Sequence, residues 1–112
     1  MQSRTIGDTK VSAVGLGAMP LSSPHAVDKE RAIATVHAAF DVGITLIDTA
    51  DAYAPDEHSV GHNERVVAKA LASWPVDTSH VLVATKGGHT RTPGGGWGLN
   101  RSPDHLRRAC EA

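Results

Sequence analysis

No stretch of this 112-residue sequence is apolar over anything near the roughly 20 residues a bilayer-spanning helix needs, so nothing in it reads as a membrane segment. Cysteine is scarce as well. Cys110 stands alone and can close no internal disulfide, which fits a reducing, cytoplasmic setting. An excess of one charge is missing too: 11 Lys and Arg face 12 Asp and Glu, for a formal net charge of -1. That balance offers no general attraction for nucleic acid or an anionic membrane, and neither is expected as a partner. The N-terminal "MQSRTIGDTK" lacks the apolar core of an export signal. What is present is 40% hydrophobic and 21% charged residues, the composition of a soluble globular chain with room for one modest domain. The sequence leaves the oligomeric state open.

Along the chain, "RTIGDTKVS" carries two short strand-like pieces around Gly7-Asp8 and predicts a hairpin. "SAVGLGAM" predicts a buried strand over Ala13–Leu16 that runs into a turn at Gly17. From Asp28 to Val42, the apolar residues Ile33, Val36, Ala39 and Phe40 recur at helical spacing, with Asp28 as N-cap and an end near Gly43. "ITLID" is a near-continuous apolar run of the kind a covered parallel strand requires. A helix follows over Asn63–Ala72, with Val66, Val67, Ala70 and Leu71 inward, and then the β-branched strand "HVLVATK" ending at Lys86. Residues 87–101 hold six glycines and one proline and read as a long loop. Ser102-Pro103-Asp104 opens a last helix with an N-cap, a first-turn proline and an acid.

Alternating strands and helices predict a parallel sheet with right-handed crossovers. A doubly wound dinucleotide fold would need a glycine fingerprint after the first strand. "GLGAMP" has Gly15 and Gly17 but Pro20 where a third glycine belongs. A (β/α)8 barrel instead gathers functional residues where strands end and loops begin. Gly17, Asp48 and Lys86 all stand at such ends, which favours the barrel.

Asp48 and Lys86 then lie on adjacent strands at one rim, where two charges facing a barrel interior stabilise each other by pairing. Tyr53, from the loop after the second strand, can reach the same spot. A lysine ammonium beside a phenol stabilises the phenolate, which makes the pair a proton donor and acceptor usable near neutral pH. On spacing alone, a rim salt bridge beside a surface tyrosine is the alternative.

"GLGAM", "GITLIDTADAY", "GHNERVVAKAL" and "VATKGG", in this order and spacing, resemble the N-terminal part of an aldo-keto reductase. The resemblance runs from the opening hairpin to the helix at Ser102. It implies the N-terminal portion, about three of the eight βα units, of a TIM barrel that uses NADPH to interconvert small-molecule carbonyls and alcohols. Carried over residue by residue, Tyr53 is the general acid, Lys86 tunes it, and Asp48 is the lysine's partner. Gly17, Ala18, Met19 and Asp48 border the nicotinamide end of the cofactor, from which hydride passes to the carbonyl carbon. The family's catalytic histidine at the end of a fourth strand has no counterpart among the seven histidines here. The segment by itself is therefore expected to be a barrel fragment, poorly folded and inactive alone.

Other patterns are weaker. Glu57, His58, His62 and Glu64 suggest a metal set only if helical, and Gly61 after "APDEHS" favours a loop, so no metal is expected. "GGHTRTPGGGWGLN" lacks the Lys-Ser/Thr ending of a P-loop and reads as a flexible substrate-side loop carrying Trp97. Arg101, Arg107 and Arg108 read as a solvated helix face. The rival readings are a non-catalytic cofactor-binding or regulatory barrel subunit and an independent small α/β module.

Overall fold

The structure, a computed structural model, describes residues 1–25 and 28–112. Strands β1 (Ser3–Ile6) and β2 (Thr9–Ser12) form the expected antiparallel hairpin. Its turn places Gly7 at φ 57°, a left-handed conformation that side chains disfavour.

The strand expected over Ala13–Leu16 is corrected. β3 comprises only Leu16–Gly17. Residues 13–15 bend because the chain must leave the hairpin and enter a different sheet. The Ser12 hydroxyl donates to the Val14 carbonyl at 2.6 Å, and a Cβ on Gly15 would meet the Leu46 side chain at 3.1 Å. After β3 the chain makes a single 3-10 turn over Met19–Ser22, with Pro20 in it. That is not the long helix a dinucleotide fingerprint opens.

Helix α1 (Lys29–Asp41) begins where Asp28 accepts a hydrogen bond from the Arg31 N–H at 3.0 Å. It ends at Gly43, which takes φ 86° and donates to the Phe40 carbonyl. Strand β4 (Leu46–Asp48), helix α2 (His62–Ser73) and strand β5 (Leu82–Ala84) follow. β3, β4 and β5 are parallel and adjacent in chain order, with Leu16 beside Ile47 and Ile47 beside Val83.

Period-two alternation then sorts the sheet's faces. Leu16, Ile47 and Val83 point toward the helices, where Val36 of α1 and Val66, Val67 and Ala70 of α2 complete the core. Ile47, Val36 and Val67 are essentially inaccessible, each contributing about 1.5–3 kcal/mol of apolar burial. On the opposite face Gly17, Asp48 and Ala84 are exposed, and Leu46 and Leu82 are half-buried. The architecture is α/β, a three-stranded open arc of the expected parallel barrel. The near-continuous apolar runs are covered on the helix side and left open on the inner one.

The long loop expected over residues 87–101 is also corrected. It folds into an antiparallel hairpin of β6 (His89–Thr92) and β7 (Gly96–Leu99). Glycine is uncommon in strands, which is why the segment reads as a loop. Here Gly96 and Gly98 pair with Thr92 and Thr90, and a Cβ on either glycine would collide with the threonine hydroxyl opposite. The turn uses Gly94 and Gly95 at φ 79° and 81°. Helix α3 (Pro103–Glu111) closes the chain, and the Ser102 hydroxyl caps it by accepting from the His105 N–H. Among the described residues no helix is long and apolar enough to cross a membrane.

Candidate active site

Because Ile47 points into the helix-side core, Asp48 must point to the open face. The same alternation operates past β5. Ala84 lies opposite Asp48, Thr85 turns toward α2 and donates to Glu64, and Lys86 returns to the open face. There the Lys86 Nζ donates to Asp48 Oδ1 at 2.7 Å and to the Thr49 carbonyl at 2.8 Å. Its ammonium also stands 5.0 Å from the centroid of the Tyr53 ring. Tyr53 is held by its backbone, its N–H donating to the Ala50 carbonyl and its carbonyl accepting from the Asn63 N–H. The structure thus brings Asp48, Tyr53 and Lys86 together at one rim.

Partial burial works to lower the Lys86 pKa, but the hydrogen bonds and charges of Asp48 and Tyr53 outweigh it and raise the value above the usual lysine range. Lys86 is therefore an ammonium throughout neutral pH. Its side chain and that of Asp48 are 45% and 55% exposed, so the pair adds only about 0–1 kcal/mol to folding. Its consequence is geometric: it fixes a cation beside the phenol.

Gly17 pairs with Asp48 in the sheet, and a Cβ there would find no atom within 4 Å. Ala18 is fully buried, and its N–H donates to the Asp48 carbonyl at 2.9 Å. Met19 is 49% exposed and shares a cleft of about 310 Å³ with Tyr53, Lys86, His89 and Trp97. The glycine turn therefore presents an open, flat edge next to the triad.

Asn63 escaped the sequence reading. Fully buried at the start of α2, it accepts from the Thr49 hydroxyl at 2.6 Å and donates to the Ala18 carbonyl at 2.7 Å and to Ser22 Oγ at 2.8 Å. Ser22 Oγ in turn bonds His62 Nδ1 at 2.7 Å. One amide thus links the glycine turn to Thr49, whose carbonyl holds Lys86. The signal was present: Asn63 is the one polar residue in the inward stripe 63, 66, 67, 70.

Asp51 was also passed over. It is buried beside the triad, and its Oδ1 has no hydrogen-bond partner among the described residues. Burial raises its pKa; the Ala52 N–H opposes this, the Glu64 charge adds to it, and His105 and His89 oppose it. A carboxyl whose pKa is raised by folding stabilises the fold below its unfolded pKa, and that contribution is lost as pH rises through the folded value. Asp51→Asn is therefore expected to raise the melting temperature by a few degrees at neutral pH, with the gain vanishing toward acid pH. Thermal unfolding of the full-length protein across that range checks it; a variant less stable at neutral pH would contradict it.

The four residues of the metal alternative do not gather at one point. His58 lies 3.4 Å from Glu57 in the loop, His62 bonds Ser22, and Glu64 accepts from Thr85. Among the described residues no three His, Cys, Asp or Glu side chains converge. Arg101, Arg107 and Arg108 are exposed, with Arg107 3.3 Å from Asp104.

This chain is 35% identical over 111 residues to L-galactose dehydrogenase of Arabidopsis thaliana, an alignment covering 96% of this chain and 32% of that protein. It is 37% identical over 90 residues to an aldo-keto reductase of Bacillus subtilis, covering 77% and 25%. The holo form of an aldo-keto reductase from Bacillus halodurans superimposes with a TM-score of 0.78 at 31% identity, over 99% of this chain and 34% of that one. The chain thus spans about a third of the length of these relatives. The family model described as "Aldo/keto reductase family" matches residues 13–112, and with a parallel arc that superimposes on a solved member, the chain belongs to the aldo/keto reductase family.

Proposed function

We propose that residues 1–112 are the N-terminal part of an NADPH-dependent carbonyl reductase barrel that acts on small aldehydes or ketones in the cytoplasm. The observation that carries this reading is the Lys86 ammonium, bonded to Asp48 at 2.7 Å and 5.0 Å from the Tyr53 ring. Asp48 and the Thr49 carbonyl direct the ammonium, so its charge is fixed before any substrate arrives. Tyr53 donates its hydroxyl proton to the carbonyl oxygen as negative charge develops there. Lys86 stabilises the phenolate that remains, and Asp48 prevents the lysine from swinging into solvent.

The residues present fit the nicotinamide end of the cofactor. Gly17 leaves its edge open, buried Ala18 anchors the turn to Asp48, and half-exposed Met19 borders the cleft. When bound, the reduced nicotinamide supplies the hydride that the carbonyl carbon accepts. The preference for NADPH over NADH follows from family resemblance.

The test is steady-state turnover of the full-length protein with an aromatic aldehyde, following nicotinamide absorbance. Aldehyde-dependent oxidation of NADPH is expected, slower with NADH at equal concentration. No oxidation of either cofactor would overturn the reading, and faster NADH oxidation would overturn the cofactor preference.

A further inference from the structure

The β6–β7 hairpin is fastened to the loop that carries Tyr53 by one side chain. Arg91 donates from Nη2 to the Gly95 carbonyl at 2.8 Å, from Nε to the Gly96 carbonyl at 3.2 Å, and from Nη1 across to the Ala54 carbonyl. The same guanidinium stacks under Trp97, 4.3 Å from the indole centroid. His89 meets the indole edge-on, with centroids 6.1 Å apart and planes at 84°. The indole is thus held on one face and one edge, yet half of its surface is exposed.

That exposed surface borders two clefts. One, of about 310 Å³, reaches Lys86; the other, of about 280 Å³, lies on the Pro24 side. Met19, Tyr53 and Trp97 are the residues common to both. An indole immobilised before a ligand arrives loses little further freedom on stacking, so the contact energy appears as affinity. A methionine thioether also packs favourably against aromatic rings.

We propose that Trp97 is a specificity-determining residue that, with Met19, forms a slot for a planar aromatic group attached to the carbonyl carbon reduced at Tyr53. This rests on the carbonyl-reductase reading.

The experiment compares full-length wild type, Trp97→Ala and Trp97→Phe with 2-naphthaldehyde, propanal and glyceraldehyde. In Trp97→Ala the ratio of kcat/KM for naphthaldehyde to that for propanal is expected to fall about tenfold, chiefly through KM, and Trp97→Phe is expected to restore most of it. A second readout needs no turnover. 2-naphthamide is titrated into full-length wild type and full-length Trp97→Phe, and a saturable quenching component present in the first and lost in the second is expected to report Trp97. An unchanged ratio overturns the slot while leaving the reductase reading intact, as does a greater loss for glyceraldehyde than for naphthaldehyde. If the wild type reduces no carbonyl, the reductase reading fails and the titration alone decides: saturable quenching supports the slot, and its absence overturns it.

Discussion

Tyr53→Phe is expected to reduce kcat for carbonyl reduction by roughly a hundredfold to ten-thousandfold, the range for loss of a positioned general acid, while cofactor affinity changes little. The substitution removes one oxygen and leaves the ring in place 5.0 Å from the Lys86 ammonium. What disappears is a proton delivered to an oxygen that becomes basic only as hydride arrives, an interaction of the transition state rather than of the bound ground state. The loss should therefore appear in kcat and in kcat/KM alike. Steady-state kinetics of the full-length protein, with a fluorescence titration of NADPH, separate chemistry from binding. Turnover within a few-fold of wild type would mean that another group supplies the proton.

Asn63→Leu is expected to cost about 3 kcal/mol of folding stability, a large effect for a change of similar size and shape. Leucine preserves the volume but strips the partner from the Thr49 hydroxyl and removes donors from the Ala18 carbonyl and Ser22 Oγ, all in buried residues. Two of these groups retain some compensation. Leu21 N–H also donates to the Ala18 carbonyl, and His62 remains bonded to Ser22. Among the described residues the Thr49 hydroxyl has no such reserve. The variant should also bind NADPH less tightly, because Ala18 belongs to the turn proposed to border the cofactor. Denaturant midpoints of full-length wild type and Asn63→Leu measure the first effect. A shift worth less than about 1 kcal/mol would show that the amide does not hold these elements together. Asp48→Asn is the contrasting case, since an exposed ion pair contributes little to folding and its loss should be felt in turnover instead.

Helix boundaries were legible in the sequence because their determinants act within one turn. Asp28 reaches Arg31, Ser102 reaches His105, and Gly43 takes a conformation that side chains disfavour. The positions of Asp48 and Lys86 on one face were legible for a similar reason: alternation along a strand is a property of the backbone. The ordered motifs around them carried the family and the barrel arc.

Tertiary structure alone decided the rest. Residues 13–15 are apolar enough for a strand, but the chain's passage between two sheets bends them. The glycines of β7 argue locally for a loop, yet they pair with Thr90 and Thr92, whose hydroxyls occupy the space a Cβ would take. Asn63 meets Thr49 across 14 residues and Ala18 across 45, distances over which no local pattern acts. Trp97 lines the Tyr53 cleft from a hairpin that Arg91 bonds to Ala54, a contact across 37 residues. By itself the sequence determined the helices and the first hairpin, the strand ends that bear the charged pair, and the family. Which polar groups are buried together, and what lines the cleft, depended on contacts between distant segments, whose energies exist only once the chain has brought them into van der Waals range.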